Sequence, residues 1–377
     1  MSNSKAQQLV RIALLAAAFA AAAGCSSGKL ETKPAAEPLF FPPPPAPPRL
    51  QYLTRLSSQL DLGGQDSAFR SLVFGQETEE SHLVLKPYGL SVHAGAVYVV
   101  DTRGGGYGVF DLAAGRTRFV RPAGPGRLRK PINISIDADG TRYLTDTERN
   151  QVLVFGSDDR FLRAFGQDDD YRPVDVLILG ERLYVTDIAH HRIVVLDKAS
   201  GEIVDTFGSV GSDPGELFQP TNLALGPEGQ IYVTDTGNFR ISVFTPEGEF
   251  VREIGQIGTV VGQFARPKGV AVDRERRVYV VDAAFENVQI LAADGTPLLF
   301  FGGAGNGPGG LNLPTVVKID YDNVDYFRQY ADPSFEIEYL VLVASQFGAN
   351  KVAVFGFGRQ RDDARPRRRP ERTGGGG

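Results

Sequence analysis

The chain has 377 residues, 42% of them hydrophobic, and a formal net charge of −5. Its single cysteine, Cys25, excludes an intrachain disulfide and leaves no second thiol for metal binding or nucleophilic chemistry. Residues 25–358 carry 31 Lys and Arg against 42 Asp and Glu, a net −11, and so acidic a body argues against general nucleic-acid binding, which needs cationic surface for the phosphates.

In chain order, residues 1–24 read as a bacterial export signal. Lys5 and Arg11 form a basic start, and Ile12 to Ala23 is an uncharged apolar run, shorter than the ~20 residues of an ordinary membrane span. Ala22-Ala23-Gly24-Cys25, followed by Ser26-Ser27, resembles a lipoprotein box. That resemblance implies lipidation of Cys25 and a lipid-anchored place in the bacterial cell envelope, with Ser26 favouring the outer membrane, facing either the periplasm or the surface. Eight prolines then fall between Pro34 and Pro48. Such a run favours extended polyproline II, so residues 25–48 are expected to be a semi-rigid tether reaching roughly 75 Å.

The body repeats one pattern. Prolines at 87, 131, 173, 220, 267 and 314 are spaced by 44, 42, 47, 47 and 47 residues. After the first five comes a β-branched or aromatic run ending in aspartate: Asp101, Asp146, Asp187, Asp235 and Asp282. In the cleanest copy, runs 220–225, 230–235, 239–244 and 249–254 alternate in polarity and are separated by turns such as Gly226-Pro-Glu-Gly229. Strand-length runs of period two between Gly, Pro and Asn read as antiparallel β, and four per unit at a period near 45 point to a propeller blade. After Phe355 too little chain remains for a fourth strand in the sixth unit, while Arg49 to Leu56 is an orphan strand. The N-terminal strand is therefore expected to complete the last blade and close the ring, leaving no open edge.

Gly208-x-x-Gly211-x-x-x-Gly215-x-x-Phe218-x-Pro220, with Ile231 to Asp235 and Asn238-x-Arg240, resembles an NHL repeat. Related Gly spacings begin at Gly255 and Gly302. The resemblance spans residues 49–358 and implies an all-β, six-bladed β-propeller. Residues 359–377, with seven arginines and four terminal glycines, are expected to be a disordered tail.

Few residues suggest chemistry. His82, His93, His190 and His191 do not fall where a zinc set would converge. Gluconolactonase-like propellers resemble this architecture and hold a divalent metal in the channel. On that likeness Asn133, Asp175 and Asn222, each two residues after a blade proline, are the candidate ligands, with Ca2+ as the metal. The alternative at these positions is a cap for the turn leading into the strand, as at Gly89 and Gly269. The five aspartates read as structural, satisfying turn N–H groups, with Arg192 and Arg240 as partners in blades three and four.

Departures from symmetry draw more attention. An insert near residues 320–338 carries Tyr321, Tyr326, Phe327, Tyr330 and Phe335 beside Arg328, either an exposed patch suited to a protein partner or a local core. On the opposite face Arg103, Arg149, His190, His191, Asn238, Phe285 and Phe347 form a varied rim after the second strands, a pattern that suits recognition. The expectation is a monomeric propeller acting as a docking scaffold for an envelope or extracellular protein, without nucleic acid and without a required cofactor. The alternatives are a metal-dependent lactonase- or lyase-like enzyme working in the channel, and carbohydrate or peptidoglycan binding.

Overall fold

The computed structural model describes residues 37–62, 83–166 and 171–361. The signal segment, Cys25, His82 and the tail beyond Arg361 lie outside the described residues.

Six antiparallel sheets follow one another along the chain. Blade one is built from strands at 87–93, 96–101, 106–111 and 116–120, and blade four from 220–225, 231–235, 240–244 and 250–254. Each innermost strand packs on the next, including that of blade six on that of blade one, so the ring is closed. The Thr315 hydroxyl, in blade six, donates to the Tyr88 carbonyl of blade one at 2.8 Å. As the alternation requires, Tyr98 and Val99 on one strand face opposite ways. Six apolar layers result, one between each pair of blades: Tyr98 packs with Leu144 and Phe155 of blade two, while Val99 packs with Leu342 and Val354 of blade six. The second strands are buried on both faces and are mostly apolar before their aspartate, whereas the fourth strands are largely exposed.

The N-terminal strand, 50–56, pairs antiparallel with 352–360, Leu50 opposite Phe357 and Leu56 opposite Val352, supplying the fourth strand of blade six. The expected tether is only partly a spacer. Phe40–Phe41 pairs with Leu50 and Gln51 as a fifth strand, and Phe41 packs edge-on against Phe355 at 6.1 Å. The prolines between them form the loop of this hairpin rather than extended chain, because burying two phenylalanines outweighs the polyproline preference. The strand 352–360 also runs two residues past the expected boundary at 358.

Every first strand has a register shift just after its proline. A bulge there re-aims the residue two positions on. At Gly89 an added Cβ would lie 2.5 Å from the Asn133 Cα, and at Gly269 an added Cβ would lie 2.5 Å from that of Val316. This position therefore faces sideways, into the next blade.

A candidate binding face and the central channel

The turn after each second strand and the connection into each first strand lie at the same end of the ring, here called the upper face. The blade aspartates hold that face together. Asp101 is 1% exposed and accepts N–H groups of Leu85 and Lys86 from the connection, and of Arg103 and Gly104 from the turn, at 2.7–3.1 Å. Asp146 does the same for Arg129, Lys130, Glu148 and Arg149, and Asp282 for Ala265, Arg266, Ala284 and Phe285. A buried carboxylate is tolerable only when such donors replace its water, and each charge-assisted bond contributes about 1.5–3 kcal/mol. In blade six Ser345 takes the position, and its hydroxyl accepts the Asn312 N–H at 3.3 Å.

Blades three and four replace turn N–H groups with side chains. Asp187 accepts from Arg172 N–H and meets His190 Nδ1 at 2.6 Å and Arg192 Nε at 3.3 Å. His191 turns the other way: its Nδ1 accepts the Gln219 N–H and its ring stacks on Phe218 at 5.0 Å. In blade four Asp235 accepts from Phe218 N–H, Asn238 Nδ2 and Arg240 Nε. Burial nevertheless raises its pKa, against the lowering effect of these donors. Arg240 also donates to the carbonyls of Ser212, Asp213 and Glu216 and pairs with Glu253 at 2.5 Å. Asn238 and Arg240 thus fasten the glycine-rich connection and are structural. Phe285 is half-buried, and Phe347 is exposed with the Lys86 ammonium over its ring.

The insert is not an exposed aromatic patch. Phe327 is fully buried, and Tyr326 and Tyr330 pack on the same core between blades six and one. The Tyr326 hydroxyl donates to the Leu62 carbonyl at 3.2 Å, and Tyr321 packs on Tyr339 with its hydroxyl accepting the Arg274 N–H. Phe335 is buried too, and Arg328, paired with Asp325, stays in solvent. The rings face inward because the completed last blade offers apolar surface at the N-terminal strand, and covering it releases more free energy than leaving five rings in water.

Asn133, Asp175 and Asn222 hold equivalent places in the first strands of blades two, three and four, where the bulge turns them toward the next blade. Asn133, Asp175 and Asn222 are each at most 3% exposed. Asp175 is already committed: it accepts the N–H of Val176 and, across the blade boundary, of Leu223. The Asn133 Oδ1 accepts the Ile134 N–H, and neither amide atom of Asn222 is hydrogen-bonded. Asn222 lies near enough to Asp175 to ease its ionisation without reaching hydrogen-bond geometry. Among the described residues no three His, Cys, Asp or Glu side chains cluster as metal ligands. Asp175 instead links neighbouring blades, and a divalent ion there would compete with its main-chain donors.

Three ionisable groups of the first strands are perturbed by burial. Burial pushes Asp175 up to about 6, with Lys318 opposing the shift, and burial beside Arg266 pushes Lys268 down to about 8. Burial likewise takes Tyr88 up to about 12, and its hydroxyl feels both Asp175 and Arg266 from across the ring. Tyr88 and Lys268 keep partial solvent access, as side chains lining a narrow passage do.

Between blades one and two the upper face opens into a cleft of about 1190 Å³. Arg103 and Arg149 come from the turns, Arg121, Arg127 and Arg129 from the connection, with Glu148 the one acidic residue in the wall. The repeat pattern reaches the two turn arginines but not the three in the connection, which falls outside it. Their signal was the density of arginine between 116 and 129.

Residues 219–244 match the NHL repeat family. The fold resembles virginiamycin B lyase from Staphylococcus aureus, with a TM-score of 0.51 and 15% identity over 81% of this chain and 84% of that one. It also resembles a gluconolactonase from Xanthomonas campestris, TM-score 0.54 and 13% identity over 86% and 99%, and the calcium-binding protein regucalcin from Agrobacterium tumefaciens, TM-score 0.54 and 12% identity over 82% and 95%. At such identities the likeness establishes the fold alone.

Two outcomes follow from this geometry. Arg240→Ala strands the Asp235 carboxylate and three loop carbonyls, so it should cost about 3–5 kcal/mol in urea denaturation. Arg192→Ala removes a partly exposed partner and should cost under about 1 kcal/mol; equal losses would contradict the assignment. For Asp175 the folded-state pKa is above the unfolded value, so its contribution is full below about pH 4 and is lost as pH rises through about 6. Relative to Asp175→Asn, the parent should therefore gain about 3 kcal/mol between about pH 7.5 and pH 4. A pH-independent difference would show that Asp175 is not held near 6.

Proposed function

We propose that this six-bladed β-propeller, with its NHL repeat at residues 219–244, is a binding module of the bacterial cell envelope, anchored by a lipid on Cys25 and docking another protein on its upper face. The observation that carries this reading is how that face is built. Its repeated carboxylates are consumed as acceptors for main-chain N–H groups, while arginines without a carboxylate partner among the described residues stand above them. A rigid surface of guanidinium groups without carboxylate partners among the described residues, held over a satisfied polar layer, suits recognition.

A second reading, chemistry in the channel of lactonase or lyase type, is favoured by one specific observation. The folds this chain resembles include a lyase and a gluconolactonase.

A cross-linked pull-down from envelope fractions, using the chain with Cys25→Ser, should recover one protein at near-stoichiometric yield. Recovery should be lost when Arg103 and Arg149 are changed to Glu. An empty pull-down together with lactone turnover that Asp175→Asn abolishes would replace docking with channel chemistry.

A further inference from the structure

We propose that the cleft between blades one and two is a docking site for an acidic peptide segment, a run of Asp and Glu side chains on the partner protein. Five arginines against one glutamate is a local excess of four positive charges on a chain whose overall charge is negative. Here Arg103, Arg127 and Arg129 have no side-chain partner among the described residues, and Arg121 makes one hydrogen bond, from Nε to the Gly104 carbonyl at 3.0 Å. Arg149 is braced by Gln151 and by the carbonyls of Pro125 and Arg127, without a carboxylate.

The arginines are also positioned before any ligand arrives. The main-chain N–H groups of Arg103, Arg129 and Arg149 are each held by a buried blade aspartate. Fixing the backbone of three guanidinium-bearing residues lowers the ordering cost of binding. The planar fork of arginine matches a carboxylate through two parallel bonds, which lysine cannot do.

The wall chemistry selects among anions. No aromatic side chain lines the cleft. Nucleic-acid bases and sugar rings therefore lack an aromatic platform to stack on. A long polyanion would leave the cleft and meet a body of net negative charge. A short run of carboxylates on a flexible chain fits both constraints. The basic character continues toward the channel mouth, where the residue before the blade proline is Lys86, Lys130, Arg172 or Arg266 in four of the six blades.

The test is fluorescence anisotropy of a labelled hexaglutamate peptide on the full chain at about 0.15 M salt. The peptide should bind, and Arg103→Ala with Arg129→Ala should weaken it by about tenfold, as expected for two screened pairs. Arg116→Ala, an exposed arginine at the opposite end of blade one, should leave binding unchanged. The cleft variants keep the main-chain N–H groups that the aspartates hold, so their melting curves should match the parent. Absence of binding, or an equal loss in the Arg116 variant, overturns the proposal. So does displacement by tripolyphosphate or polygalacturonate at lower concentration than by unlabelled peptide, since that reassigns the cleft to phosphate or glycan. The inference rests on the docking reading but can fail separately. Capture of the partner by the Arg103→Ala/Arg129→Ala chain, with hexaglutamate unbound by the parent, would discard the cleft and keep the docking.

Discussion

A buried carboxylate at the end of every second strand in blades one to five is the interaction on which the upper face depends. Each strand must stop there, and its turn and the incoming connection both leave N–H groups with no sheet partner. One aspartate oxygen pair satisfies the donors of both segments, so a turn and a connection that are far apart in sequence become one rigid corner. The apolar layers between blades fix how the sheets pack; the aspartates fix what stands above them. The arginine cleft follows from this, because two of these corners, at Asp101 and Asp146, form its floor.

The other constraint is closure. A ring of stacked sheets has no free edge only if the last sheet is completed, and here the strand 50–56 does this from the other end of the chain. The insert in blade six, the short helical turn at Gln59–Leu62 and the strand pair at 40–41 all gather at this seam. The most irregular part of the sequence thus reinforces the joint, while the repetitive blades carry the surface suited to recognition.

The repeat made the fold legible. Proline spacing, strand alternation and the missing fourth strand in unit six all depend on local pattern, and the closed six-bladed ring agrees with each. The roles of the aspartates could be read from repetition as well, since five equivalent carboxylates suit a shared structural task. What the sequence could not convey is the direction of side chains where the pattern breaks. The insert's tyrosines look alike in sequence whether they face solvent or core, and only the neighbouring N-terminal strand decides. Asn133, Asp175 and Asn222 share a register, but a bulge turns that position from the channel toward the next blade. The arginines of the connection at 121–129 were overlooked because a cleft is made by two blades together, and no single repeat contains it.

The most direct measurement is native-state hydrogen exchange of the corner amides. Leu85, Arg103, Arg129, Arg149 and Ala265 lie in turns and connections, where amides ordinarily exchange fast. If buried aspartates hold the upper face as described, these amides should exchange only through large-scale opening, with protection close to that of the second strands. Exchange at the rate of free loops would mean that the corners open independently of the blades, and that neither the face nor its cleft is preformed.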